Sequence, residues 1–463
     1  MSCRSARIAC AVALASASVW TSPPAAAITP PEVDDSRLPD ARPPAPPEPT
    51  EQRQDCVVST PTRRGTENGD QLAALDLPEV WTLSRGAGQT VAVIDTGVAR
   101  HRLLPHLVPG GDYVHSGDGT DDCDGHGTVV AGIVGAAEDP TGDREFSGVA
   151  PDAAIIGIRQ SSVKFAPAGR SAPGFGDVDT LAAAIRTAAD MGASVINVSS
   201  IACVEATAEL DDRALGAALA YAVDVKNVVV VAAAGNVGGL GQCPDQNPPA
   251  DPAHPGRPDW ESVKVVVSPA WYDDYVLTVG STDPRGAPSQ FTLAGPWVDV
   301  AAPGEGVVSL DADGEGLVDS LPVLGSDAPI VGTSYAAPVV SGIAALIRAR
   351  SPHLTARQVI QRIKDTAHRP PEGWNPFVGN GVVDALAAVS GGTATTNMVV
   401  PEPEPGYSDE RPDLPAQRSE PDPGVRRIAF GGAGVCVAAA AAAVAMASSS
   451  GRLRRRHDSV AGD

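Results

Sequence analysis

Ser334 stands in GTSYAAP (residues 332–338), between a small Gly-Thr pair and a run of small apolar residues at helical spacing, AAPVVSGIAALIRAR. A serine that opens a helix has exposed backbone donors and a favourable dipole beside it. The Gly-Thr pair lets those N–H groups come close to a reacting carbonyl. A hydroxyl is nonetheless a weak nucleophile until a base takes its proton. His126, between glycines in DGHGTVVAGIVGA (124–136), is placed at a helix start to be that base. Asp95 ends the apolar run QTVAVID and is followed by a Thr-Gly turn. Asn236 ends NVVVVAAAGN (227–236) and brings an amide N–H. Each fragment alone is an ordinary strand exit or helix start. Together, in this order, they are the parts of an acyl-transfer site. Ser334 attacks a carbonyl; His126 takes its proton and hands it to the leaving amine. Asp95 holds the imidazole tautomer and stabilises its cation, and Asn236 with the Ser334 N–H binds the oxyanion.

The elements between these residues alternate. FSGVAPDAAIIGIRQ (146–160) is a turn followed by a buried strand. DVDTLAAAIRTAADMGASVINVSS (177–200) is an Asp-capped helix, a glycine stop and another strand. A further helix feeds the strand ending at Asn236. This alternation predicts an α/β fold, a doubly wound parallel sheet with helices on both faces. Asp95 and Asn236 then fall at carboxyl ends of strands, where such sheets place their sites. Residues 71–88 read as one short amphipathic helix with Trp81 buried. Residues 161–176, SSVKFAPAGRSAPGFG, read as a polar loop, 237–262 as part of a long insertion, and 355–366 as a helix.

The chain of 463 residues has a formal net charge of −22, which argues against a nucleic-acid-binding face and suits solubility outside the cell. Aromatic residues make up only 4%, so the core must be packed from Val, Ala, Ile and Leu. His101, His106, His115 and His254 read as solvent-facing, capping or loop histidines. DGTDDCDG (118–125) resembles an acidic calcium loop but lacks EF-hand spacing. No metal and no organic cofactor are expected; the carboxylates beside His126 are expected to favour its protonated form. Of seven cysteines, Cys3 and Cys10 lie in the leader and Cys436 in an apolar run. Cys56, Cys123, Cys203 and Cys243 remain, with three pairings open and no zinc-like spacing.

The ends are distinct. Residues 1–27 have arginines, an apolar stretch and small residues, the pattern of a secretory signal peptide. Residues 28–70 form a Pro-rich extension and 394–427 a Pro-rich acidic linker. Residues 428–447 are twenty residues without a charge, enough to span a bilayer as a transmembrane helix. The basic stretch RLRRRH in 448–463 keeps that end cytoplasmic, which gives type I topology in the cell membrane.

Residues from about 71 to 393 resemble subtilisin-family (S8) serine peptidases, at IDTGV, HGTVVAGIVG, VINVSS, AAAGN and GTSYAAP. The order Asp-His-Ser is that family's order. With its ends included, the chain resembles the mycosins, membrane-anchored subtilases that accompany actinobacterial type VII (ESX) secretion systems. The resemblance implies a subtilisin-like domain and an extracytoplasmic serine endopeptidase acting on protein or peptide substrates. It further implies partnership with the type VII secretion membrane complex, with processing of secreted proteins or mainly structural support as the two roles. It pairs Cys56 with Cys123 and Cys203 with Cys243, and wraps the extension around the domain. One stretch departs from the family: SSIAC follows VINV where Ser-Leu-Gly-Gly is usual, so no specificity residues are assigned there.

Overall fold

The computed structural model describes residues 28–60, 70–139, 146–238, 243–249, 251, 253–323 and 326–391. The leader, the acidic linker, the apolar run at 428–447 and the basic tail lie outside the described residues. Among the described residues, no helix is long and apolar enough to cross a membrane.

Strands β2 (Thr90–Asp95), β3 (Leu107–Asp112), β4 (Ala154–Arg159), β6 (Val195–Val198), β8 (Val229–Ala233), β10 (Val276–Thr282) and β11 (Val300–Pro303) form one sheet. Its order is β11-β10-β8-β6-β2-β4-β3, and every pairing is parallel. Strands β6, β8 and β10 are buried along their whole length, which is why VINV, VVVAA and VLTVGST show no apolar-in, polar-out alternation. Helix α2 (His126–Gly135) packs against α5 (Thr333–Arg350), and α3 (Val178–Asp190) packs against α4 (Arg213–Ala220). An Asp177–Thr180 capping box starts α3 and a Thr355–Gln358 box starts α6 (Ala356–Thr366).

Small residues let the site helices close on each other. A Cβ on Gly342 of α5 would stand 2.5 Å from Val149 Cβ. At the site itself, a Cβ on Gly127 would stand 2.0 Å from the Gly97 carbonyl oxygen, so only glycine allows the His126 helix to meet the Asp95 turn.

Two segments differ from the sequence expectation. Residues 71–88 hold two short helices, Asp70–Ala73 and α1 (Leu77–Trp81), instead of one. Pro78 lacks the N–H that a continuous helix needs, and Asp76 takes a left-handed conformation between the two pieces. Trp81 is half-buried, its indole N–H donating to the Val149 carbonyl at 2.9 Å. The expected loop at 161–176 contains β5 (Phe165–Pro167), paired antiparallel with β1 (Thr50–Gln52) of the extension. Beyond β1 the extension continues to Cys56, which is disulfide-bonded to Cys123. Val57 N–H then donates to the Cys123 carbonyl at 2.9 Å. Ser59 and Thr60 reach Asp311 and Asp327. A second disulfide joins Cys203, on β7 (Ala202–Glu205), to Cys243, and β7 pairs antiparallel with β9 (Val265–Ser268).

Candidate active site

Asp95 ends β2 and is fully buried. Its Oδ1 accepts the Thr96 N–H at 2.7 Å and His126 Nδ1 at 2.7 Å, so the neutral ring carries its proton on Nδ1. Asp95 Oδ2 is buried with no partner among the described residues. The His126 ring also lies against the Tyr335 ring, 5.1 Å between centroids. Burial pulls the His126 pKa down. The charge and hydrogen bond of Asp95, with Asp122 and Asp124 behind it, outweigh that and leave it above its ordinary value. Nε2 is then the nitrogen left to take a proton.

Ser334 is the second residue of α5. Its Oγ donates to the Ser199 carbonyl at 3.3 Å instead of to His126; such hydrogen bonds often form fully only with substrate bound. Pro338, four residues on, has no N–H to give back to the Ser334 carbonyl. Ser199 supplies the missing donor: its Oγ bonds that carbonyl at 2.9 Å. Ser199 Oγ is in turn held by Asn197 Nδ2 at 2.9 Å, and Asn197 Oδ1 by Ser341 Oγ at 2.9 Å. The Ser334 turn is thus tied to the end of β6 by a chain of hydrogen bonds through Ser199, Asn197 and Ser341.

Asn236 follows β8. Its Oδ1 accepts the Thr333 N–H at 2.9 Å and Thr333 Oγ1 at 3.1 Å. With the oxygen fixed, Nδ2 is left with no partner among the described residues. Thr333 Oγ1 also accepts the Gly235 N–H, which locks the residue beside Ser334 to the strand carrying Asn236.

Asp95 and His126 are therefore in contact, Tyr335 lays the residue after Ser334 on His126, and Thr333 joins Ser334 to Asn236. Thr333, Ser199, Asn197, Ser341 and Tyr335 are functional neighbours that sequence reasoning did not assign. Only Ser199 had a signal, the orphan carbonyl that Pro338 creates. The remaining candidates lie elsewhere. His101 accepts the Leu103 N–H and donates to the Gly316 carbonyl, a buried cap. His115 meets Thr50, His254 pairs with Asp251 on the surface, and the described structure gives His106 no side-chain bond. In the acidic loop, Asp118, Asp122 and Asp124 turn their oxygens to backbone and hydroxyl donors. Among the described residues no group of three His, Cys, Asp or Glu is placed to hold a metal ion. The arrangement can activate a hydroxyl, shuttle one proton and stabilise one oxyanion.

The model of the subtilase family, Peptidase_S8, matches residues 86–381. Mycosin-4 of Mycobacterium tuberculosis is 58% identical, with 99% of each chain covered. The solved structure described as a serine protease, MycP1, an essential component of the type VII (ESX-1) secretion system, is 44% identical. It superposes with a TM-score of 0.73 over 78% of this chain and 100% of its own. A chain of an intact ESX-5 inner membrane complex is 40% identical, with a TM-score of 0.73 over 91% of this chain and 100% of its own.

Proposed function

The chain belongs to the subtilase family of serine peptidases, among the mycosins, and from that premise we propose that it is an endopeptidase with Ser334 as nucleophile, His126 as general base and Asp95 as the acid that orients it. Asn236 Nδ2 and the Ser334 N–H form the oxyanion hole. The observation that carries this reading is the 2.7 Å bond from His126 Nδ1 to a fully buried Asp95, which leaves Nε2 as the nitrogen that can take a proton. His126 Nε2 takes the Ser334 proton as Oγ adds to the scissile carbonyl. It then protonates the departing amine, leaving an acyl-enzyme. Water repeats the sequence and releases the new carboxyl end. No organic cofactor takes part.

The reading extends to the cell. Residues 428–447 are a single transmembrane anchor following the 394–427 linker, with the peptidase domain of 71–393 on the extracytoplasmic, periplasmic side and 448–463 inside. The two disulfides suit an oxidising compartment. Likeness to a chain of an intact ESX-5 inner membrane complex supports a place in a type VII secretion membrane complex, and there the peptidase would act on exported proteins. The second reading, of which that association is equally a part, is mainly structural support of the complex with proteolysis dispensable.

Labelling with a serine-reactive fluorophosphonate tests the chemistry. Wild type is labelled and Ser334→Ala is not, at unchanged thermal stability; a labelled Ser334→Ala protein moves the nucleophile elsewhere. Comparing secreted proteins and their N-termini from wild type, deletion and Ser334→Ala strains separates the two roles. Intact secretion with particular proteins left uncut in the mutant assigns both. Loss of secretion in the mutant, as in the deletion, makes proteolysis the driver.

A further inference from the structure

Helix α2 starts without a cap of its own. Its N-cap is Gly125, which has no side chain to offer, and its first turn holds no acidic residue. Asp122, four residues before His126, supplies what is missing. Its Oδ2 accepts the Thr128 N–H at 2.8 Å and Thr128 Oγ1 at 2.6 Å. Its Oδ1 accepts the N–H of Gly125 at 2.8 Å, the N–H of Asp124 at 3.2 Å and Thr96 Oγ1 at 2.8 Å. Thr96 closes the ring: its Oγ1 accepts the Gly127 N–H at 3.0 Å and its own N–H donates to Asp95 Oδ1. One carboxylate thus grips the backbone on both sides of His126 and ties it to the residue next to Asp95.

We propose that Asp122 is a positioning residue for the base: it clamps the start of α2 to the end of β2 and sets a negative charge against the imidazolium that forms during catalysis. The proposal rests on the reading of His126 as general base. The clamp keeps the His126 Nδ1–H on Asp95 while the ring gains and loses its other proton. The charge acts in a defined setting. Facing His126 are Asp95 from β2, Asp122 and Asp124 from the loop, and Tyr335 from α5. Arg159 and Lys164 counter Asp124, whereas the other charge acting on Asp122 is Asp95 itself. Burial pushes the Asp122 carboxyl up to about 6, so it is ionised at neutral pH and above, where a serine peptidase works.

The test is the rate of fluorophosphonate labelling of the full chain as a function of pH, for wild type, Asp122→Asn and Thr96→Val. Thermal melts establish that each variant is folded. Asp122→Asn removes the charge and leaves one acceptor oxygen where the clamp uses two; Thr96→Val cuts the bridge and keeps the charge. We expect both to label about 10- to 100-fold more slowly, the scale of a misplaced catalytic group. Only Asp122→Asn should move the acid-side midpoint to lower pH, because only it removes a charge that favours the imidazolium. A folded Asp122→Asn protein with the wild-type rate and midpoint overturns the proposal. So does a slowed one whose midpoint has not moved, which reduces Asp122 to fold stability. If Asp122→Asn does not fold, Thr96→Val decides, and wild-type labelling by it is the overturning result. Labelling of Ser334→Ala in the same assay is a separate signature, the failure of the active-site reading itself.

Discussion

The oxyanion role proposed for Asn236 depends on its neighbour. Thr333 occupies the amide oxygen twice, so the amide nitrogen is what remains for an oxyanion. Asn236→Ala should therefore lower kcat by about 10²–10³, the loss measured for the single oxyanion donor of a subtilisin, with KM little changed. A matching rise in KM with kcat intact would instead make Asn236 a ground-state contact. His126 carries the pH dependence. The base must be neutral to accept the Ser334 proton, and its pKa is raised, so activity is lost as pH falls through a value above the ordinary one. The acid-side midpoint of kcat/KM should lie above 6.5, measurable with any cleaved peptide; a midpoint at or below it would mean that Asp95 does not stabilise the cation. Asp95 and Asn236 were legible in the sequence because each closes an apolar run, His126 and Ser334 because each opens a run of small residues. Ser199 was not, since its part depends on a proline 139 residues away (338 − 199) depriving Ser334 of a helical partner.

Helix α5 shows what the small residues of GTSYAAPVVSGIAAL are for. Gly342 sits where a methyl group would press on Val149 at 2.5 Å, and Val149 offers its Cβ there, not a flexible end. Two effects of Gly342→Ala compete. Alanine is the better helix former by about 1 kcal/mol, while forcing a methyl into a closed contact costs about 1–3 kcal/mol. Overpacking wins, and thermal unfolding should show a lowered Tm; a raised Tm would mean that the α5 contact has room to give. Strand β8 was legible because burial on both faces leaves an unbroken Val/Ala run, whereas β3, LVPGGD with most of its residues not buried, carries no such run and was not read as a strand. The β1–β5 pair was not legible either. Both strands are three residues long, in Pro-rich or Gly/Pro-rich chain, and the partners are too short for a period to register. The single helix expected at 71–88 failed on Pro78, a local breaker that the apolar spacing concealed.

At the scale of the whole molecule, the extension and the catalytic centre share one covalent joint. Cys123 sits between Asp122, which clamps the start of the His126 helix, and Asp124, which accepts Ser162 Oγ and the Val163 N–H. The bond from Cys56 to Cys123 therefore pulls on the loop that sets the base, and the strand pair β1–β5 holds the same extension from the other side. A crosslink over 67 residues of sequence separation stabilises by about 4 kcal/mol on chain entropy alone, with 2–4 kcal/mol typical of measurement. The hydrogen bonds of Val57, Ser59 and Thr60, at about 1 kcal/mol each, hold the segment beyond Cys56 but form only once that segment is already in place, whereas the crosslink restricts the unfolded chain. Cys56→Ser should consequently lower Tm, open the extension to limited proteolysis before the domain is cut, and slow fluorophosphonate labelling of Ser334. The order of these effects discriminates. Proteolysis of the extension with labelling at the wild-type rate would make it a stabilising strap that leaves the His126 loop alone. Slowed labelling while the extension stays protected would place the effect in the loop, where Asp122 and Asp124 flank the lost sulfur bridge.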